Sequence, residues 1–202
     1  MKLAILIGQC HHSACLHIID RYPYDFSQGQ ELVSVGKPGT DAVLRVLFVC
    51  TGNTCRSPMA ETIFRKLIAE KLGCREWELR ERGIDIFSAG VAAGGNFPAS
   101  REAIEVMKEQ NLDLSQHLSQ QLTERMLEES TFVLTMTNRH LQILNSERPD
   151  LTARFQLVNR SGRDISDPIG SDMSAYRECA QEILQNLQEW VEILFEKDHR
   201  RQ

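Results

Sequence analysis

Hydrophobic residues follow two alternating patterns along this chain: short continuous runs, and longer stretches with helical spacing. The short runs predict four buried strands, at residues 46–50, 84–87, 131–136 and 155–158. The longer stretches have apolar positions three and four residues apart, most regularly from Tyr176 to Leu194, and predict helices. Strands that alternate with helices form right-handed βαβ units. The pattern therefore predicts an α/β fold, a four-stranded parallel sheet with helices on both faces.

Small polar residues and glycine mark the predicted helix ends. The helix after the first strand is predicted to have Ser57 as its N-cap, Pro58 in its first turn and Gly73 at its end. Three later helices are predicted to begin at Ser100, Thr123 and Thr137.

The chain divides into an extension, residues 1–43, and a domain, residues 44–198. The extension contains a cluster that suggests metal binding, namely Cys10, His11, His12, Cys15 and His17. Their spacing fits no closed tetrahedral site, so no metal site is predicted. The sequence gives no role for this extension.

Composition narrows the class of partner. The chain has 202 residues, of which 42% are hydrophobic and 25% charged, and its net charge is −5. These values are typical of a globular protein and indicate no nucleic-acid partner. No apolar run approaches the roughly 20 residues that span a bilayer, so no membrane partner is predicted.

The candidate chemistry lies where the first strand meets its helix. A loop before a helix N-terminus directs backbone N–H groups and the helix dipole at one point, which favours an anion. Cys50 ends the strand and Arg56 follows six residues later. Arg56 can hold two phosphoryl oxygens while the field that holds the anion favours the thiolate of Cys50. The alternative is a buried structural cysteine. The predicted phosphate-binding residues are Thr51, Gly52, Asn53, Thr54, Cys55 and Ser57.

Residues 46–61, with the string Cys-Thr-Gly-Asn-Thr-Cys-Arg-Ser-Pro-Met-Ala-Glu from Cys50, resemble the phosphate-binding loop of the low-molecular-weight protein tyrosine phosphatases. Thr54 and the flanking string are most similar to the protein-arginine phosphatase branch. The resemblance runs from about residue 45 to about residue 195. It implies a cysteine-dependent phosphatase that forms a phosphocysteine, needs no cofactor or metal, and acts as a monomer on a phosphorylated protein. A thiolate nucleophile requires a reducing compartment, which predicts the cytoplasm.

A leaving group that is a strong base needs a proton, and Asp167 is the candidate acid. It stands before Pro168 in the long loop after the fourth strand, and the order of nucleophile first and Asp-Pro last matches the family. The alternatives are a structural turn aspartate, or Asp164 or Asp172 as the acid.

The resemblance also implies supporting roles. Ser57 donates to the Cys50 sulfur, while Ser88 and His117 hold Asn53; for His117 the alternative is an ordinary loop histidine. A regulatory disulfide between Cys50 and Cys55 remains open. Cys74 and Cys179 are predicted to be structural, which argues against an arsenate reductase of the same fold, the third candidate function.

Two residues bear on the substrate. Tyrosine-directed members of the family carry a bulky aliphatic residue in place of Thr54, and usually an aromatic residue in place of Ile169. A Thr54 hydroxyl can accept an N–H from a phosphoguanidinium, and sites built on hydrogen bonds discriminate strongly. Phosphoarginine is therefore the first predicted substrate and phosphotyrosine the second; simple loop packing by Thr54 is the alternative.

Overall fold

The computed structural model describes residues 44–195, and these form one sheet flanked by helices. The predictions for residues 1–43, including the metal-like cluster, lie outside the described residues. The strands are β1 (Leu44–Cys50), β2 (Ile84–Gly90), β3 (Phe132–Thr135) and β4 (Phe155–Leu157). All neighbouring strands are parallel, in the order β2-β1-β3-β4. The predicted four-stranded parallel sheet is confirmed.

Five α-helices within residues 44–195 connect and cover the strands. They are α1 (Arg56–Leu72), α2 (Arg101–Glu109), α3 (Glu124–Glu129), α4 (Asn138–Glu147) and α5 (Met173–Phe195). Short 3₁₀ segments at Glu76–Glu78 and Pro149–Arg154 precede β2 and β4.

The alternation of side chains along β1 builds a core on each face of the sheet. Val46 and Phe48 belong to the larger core, which they share with α1, α2 and α5. Leu47 and Val49 point to the opposite face and pack with residues of α3 and α4. Helices therefore cover both faces, as predicted, because β1 is apolar at almost every position.

Most of the predicted helix ends are confirmed. The side chains of Ser100, Thr123 and Thr137 accept N-cap hydrogen bonds, and Gly73 ends α1 with a φ of 62°. The prediction that Ser57 caps α1 is wrong. The N-cap is Cys55, with no side-chain cap bond, and Ser57 is the second helical residue. Its hydroxyl turns instead toward Cys50.

The edge strand β2 has its backbone groups capped by side chains and loops. Arg65 donates from Nε and Nη2 to the carbonyl of Ile86, at 3.1 and 2.6 Å, and Gln120 Nε2 donates to the carbonyl of Ser88 at 2.8 Å. Gly90 exchanges backbone hydrogen bonds with Gln120 and Leu122. Such caps protect an edge from pairing with another strand.

Within residues 44–195, no helix is both long and apolar enough to cross a bilayer. The same residues contain no group of three or more His, Cys, Asp or Glu side chains that could hold a metal ion.

Candidate active site

The loop between β1 and α1 turns tightly around the sulfur of Cys50. Asn53 takes a left-handed backbone conformation, with a φ of 56°, which asparagine tolerates better than most residues. Gly90, at the end of β2, lies directly against this loop. A Cβ at Gly90 would fall 2.5 Å from the carbonyl oxygen of Thr51 and 3.0 Å from the amide nitrogen of Asn53. The loop can therefore take this shape only with glycine at position 90.

The sulfur of Cys50 has two hydrogen-bond donors within reach. The backbone N–H of Asn53 donates to it at 3.2 Å, and the hydroxyl of Ser57 lies 3.0 Å away. Ser57 Oγ also accepts a hydrogen bond from Asn53 Nδ2 at 2.9 Å. The hydroxyl of Ser57 also carries one proton, which it can donate to the sulfur. The site thus offers the sulfur two hydrogen-bond donors, which suits a nucleophilic cysteine.

A chain of hydrogen bonds fixes the orientation of the Asn53 amide. Its Oδ1 accepts from the backbone N–H of Gln120 at 2.9 Å, so Nδ2 must face Ser57 and Ser88, each 2.9 Å away. The hydroxyl of Ser88 then donates to Glu61 Oε2 at 2.7 Å. Hydrogen bonds from Asn53 therefore run to Ser57 beside the sulfur of Cys50 and, through Ser88, to Glu61.

Glu61 ends the chain as a largely buried carboxyl group, with 16% of its side chain exposed. Burial raises its pKa above the usual range, and the opposing charge of Arg65, at 2.8 Å, acts to lower it. On the outer side of the loop, His117 Nε2 lies 2.8 Å from the carbonyl oxygen of Asn53. Ser88 and His117 thus both contact Asn53, the first through its side chain and the second through its backbone.

Arg56 lies at the first position of α1 and only 5% of its side chain is exposed. Its Nη1 donates to the carbonyl of Ile165 at 3.3 Å, and its Nη2 forms an ion pair with Asp167 Oδ2. Asp167 is 43% exposed, so it meets the buried guanidinium from the solvent side. The structure therefore brings Cys50, Arg56 and Asp167 to one site at the carboxyl ends of the strands, where ligands bind in parallel α/β sheets.

The loop that carries Asp167 is anchored on both sides. Ile165 is buried and its N–H donates to the carbonyl of Met136 at 2.8 Å. Asp164 accepts two hydrogen bonds from Asn138, and these lower its pKa. Asp172 accepts from the N–H of Ala175 at the start of α5. Both alternative acids are thus engaged at helix N-termini, while Asp167 faces Arg56.

Two residues of the loop are threonines. Thr54 is half-buried; its carbonyl accepts from the N–H of Ser100 at 2.8 Å, and its Oγ1 lies 3.7 Å from Cys55 Sγ, a weak contact. Thr51 is exposed, and its Oγ1 lies 3.0 Å from Nε2 of the buried His140.

The four cysteines of the described residues are free thiols. Cys55 is buried, and its sulfur donates to Ser100 Oγ at 3.4 Å and lies 3.5 Å from the hydroxyl of Tyr176. Cys179 is buried under the Asp167 loop, and this burial raises its pKa to about 12. A thiol in that state is a weak nucleophile.

Three residues of this site are absent from the sequence-based predictions: Glu61, Gln120 and His140. Glu61 is part of the string that carries the family resemblance, and its place one helical turn after Ser57 was the available signal. Gln120 and His140 reach the loop only because the fold brings distant segments together, so no local pattern could have indicated them.

A thiol held by two donors under a helix N-terminus, beside a buried guanidinium and an exposed carboxyl group, is suited to phosphoryl transfer through sulfur. Those features, on a parallel sheet of this topology, define the class of cysteine-dependent phosphatases. Residues 45–200 match the family described as Low molecular weight phosphotyrosine protein phosphatase. The chain belongs to this family.

The most similar relatives include both arginine and tyrosine phosphatases. The protein-arginine-phosphatase of Bacillus subtilis is 37% identical over 159 residues, which cover 77% of this chain and 99% of the relative. One solved structure is that of the YwlE arginine phosphatase, a cysteine-to-serine mutant with a phosphorylated active-site serine. It is 34% identical in sequence, the match covers 78% of this chain and 99% of the YwlE chain, and the TM-score is 0.67. A low molecular weight protein tyrosine phosphatase from T. tengcongensis is 36% identical, covers 74% of this chain and 99% of its own, and has a TM-score of 0.66.

Proposed function

We propose that this phosphatase hydrolyses phosphoarginine on proteins, with phosphotyrosine as the second candidate substrate. The observation that carries the proposal is the half-buried residue Thr54 in the loop, which has a hydroxyl group. This hydroxyl can accept a hydrogen bond from a guanidinium, which offers N–H donors, and a phenol ring offers none. The similarity to protein-arginine phosphatases supports it. The similarity to tyrosine phosphatases keeps the second candidate open.

In the proposed reaction, the thiolate of Cys50 attacks phosphorus in line with the leaving nitrogen. The P–N bond breaks as the S–P bond forms, and Asp167 gives its proton to the departing guanidino group. Arg56 and the backbone N–H groups of the loop hold the phosphoryl oxygens. Asp167, now ionised, takes a proton from the water that attacks the phosphocysteine, and the enzyme returns to its starting state.

The remaining residues have supporting roles in this proposal. Thr51, Gly52, Cys55 and the two neighbours of the sulfur, Asn53 and Ser57, form the wall of the phosphate site. Ser88 and His117 maintain the shape of the loop through Asn53. The proposed catalytic groups all belong to one chain, so a monomer suffices for this reaction, and the proposed thiolate nucleophile requires a reducing compartment such as the cytoplasm. Residues 44–198 make up the phosphatase domain and residues 1–43 its extension.

The test is a direct comparison of two peptides that share one sequence and carry phosphoarginine or phosphotyrosine. We expect a higher kcat/KM for the phosphoarginine peptide. Equal or better turnover of the phosphotyrosine peptide would favour the second candidate.

The Cys50→Ser variant tests the covalent step with the same peptides. A serine can accept the phosphoryl group, but its alkoxide is a poor leaving group, so hydrolysis should stall. Intact mass spectrometry should then find one phosphoryl group on the variant, at position 50, and none on Cys50→Ala. Multiple turnovers by Cys50→Ser would contradict the phosphocysteine mechanism.

A further inference from the structure

A buried histidine beside the phosphate loop has no part in the reaction proposed above. His140 lies in the first turn of α4 and is 4% exposed. Its Nδ1 lies 2.8 Å from Thr137 Oγ1 and its Nε2 lies 3.0 Å from Thr51 Oγ1. The ring therefore links the cap of α4 to the residue that follows Cys50.

This imidazole is neutral at physiological pH. Burial, and next the positive charge of Arg56, lower the pKa of His140 to about 4. A neutral ring carries one N–H donor and one lone pair, so the directions of its two hydrogen bonds depend on each other.

The hydrogen bonds that join Thr137, His140 and Thr51 have two possible arrangements, and the ring is neutral in both. In the first, Nε2–H donates to Thr51 Oγ1 and the hydroxyl of Thr137 donates to Nδ1, so Thr51 can donate its proton outward. In the second, Thr51 donates to Nε2 and Nδ1–H donates to Thr137 Oγ1. Thr51 then presents a lone pair outward and can accept a hydrogen bond.

The position of this pair complements that of Thr54. Asn138, in the same helical turn as His140, donates two hydrogen bonds to Asp164, so this turn packs against the acid loop. Thr54 is held on another side, by the N–H of Ser100. A guanidinium has several N–H donors, and a hydroxyl such as Thr54 cannot satisfy all of them.

We propose that Thr51 is a second specificity-determining residue, whose hydroxyl accepts an N–H from the phosphoguanidinium, with His140 as the positioning residue that supplies the matching tautomer. The inference rests on the proposed phosphoarginine substrate and extends the recognition of that substrate to a second hydroxyl of the loop.

The first test is Thr51→Val, which removes the hydroxyl and keeps the shape. The ratio of kcat/KM for the phosphoarginine peptide to that for the phosphotyrosine peptide should fall about tenfold, the effect of one unpaired donor. Thr51→Ser keeps the hydroxyl and should retain most of the ratio. Thr152→Val, in the 3₁₀ segment before β4, is the matched control and should leave the ratio unchanged.

The second test asks whether His140 acts through Thr51. His140→Leu should lower the ratio. His140→Gln keeps a polar group near the Nε2 position and should restore part of the ratio. In the double variant Thr51→Val/His140→Leu, the ratio should be no lower than in Thr51→Val alone. Additive losses would overturn the positioning role. If a thermal unfolding measurement shows that His140→Leu is not folded, the comparison of Thr51→Val with Thr51→Ser decides the proposal.

The two proposals fail in different ways. A wild-type enzyme that hydrolyses only the phosphotyrosine peptide would overturn the phosphoarginine substrate and this inference with it. A wild-type enzyme that prefers phosphoarginine, with an unchanged ratio in Thr51→Val, would overturn this inference alone.

Discussion

Thr54 is the residue on which the substrate preference is expected to depend most. If its hydroxyl accepts an N–H from the phosphoguanidinium, Thr54→Ile removes that bond and fills the space with methyl groups. An unpaired buried donor costs about 1–3 kcal/mol, so the ratio of kcat/KM for phosphoarginine to phosphotyrosine should fall about tenfold or more.

Thr54→Ser is the matched control, since it loses a methyl group and keeps the hydroxyl. It should stay close to wild type in this ratio. If both variants behave alike, Thr54 contributes packing, and phosphotyrosine becomes an equal candidate.

Asp167 gives a prediction that depends on the leaving group. Asp167→Asn cannot donate a proton, so kcat for phosphoarginine should fall roughly a hundredfold or more, the usual contribution of a general acid. Activated aryl phosphates need no such proton and should be affected less. Asp164→Asn, which disturbs only the anchor to Asn138, should slow both substrate types equally. An equal loss with both substrate types in Asp167→Asn would contradict its role as the acid.

At the scale of elements, the close approach of Gly90 to the phosphate loop predicts a local and severe effect. Gly90→Ala would place a Cβ 2.5 Å from the carbonyl oxygen of Thr51. Because that oxygen belongs to the backbone, it cannot move aside as a flexible side chain could. The variant should lose most of its kcat/KM and unfold at a lower temperature. Gly73→Ala, at the end of α1, meets nothing within 4 Å but has a φ of 62°. It should lose about 1 kcal/mol of stability and keep its kcat/KM. Similar kinetics for both variants would contradict the prediction.

The sequence predicted the sheet well because β1 and its neighbours are continuous apolar runs, and it predicted three N-caps because Ser100, Thr123 and Thr137 stand directly before amphipathic stretches. It failed at Ser57, where a favoured capping residue serves the sulfur of Cys50 instead. The reason is physical: cap preference is a local property, whereas the contact between Ser57 and the Cys50 sulfur depends on how the whole loop folds. The contacts of Gln120 and His140 escaped prediction for the same reason, since tertiary packing alone creates them.

At the scale of the whole molecule, the described residues hold the complete set of proposed catalytic groups. A chain that begins at residue 41 should therefore fold and keep a kcat/KM within about twofold of the full chain, because no proposed catalytic group precedes Leu44. Steady-state kinetics of both chains, with circular dichroism to verify folding, provide the measurement. A folded but inactive short chain would assign residues 1–40 a part in the site.

The capped edge of the sheet also affects how a protein substrate meets this enzyme. Many binding domains hold an extended peptide by adding it to an open sheet edge. Here Arg65 and Gln120 already engage the carbonyls of β2, and β4, at the other edge, is three residues long. Neither edge is therefore suited to add a substrate backbone as a further strand. In the proposed reaction the substrate is then held mainly through its modified side chain, so phosphopeptides that differ only in the sequence around that residue should differ little in KM.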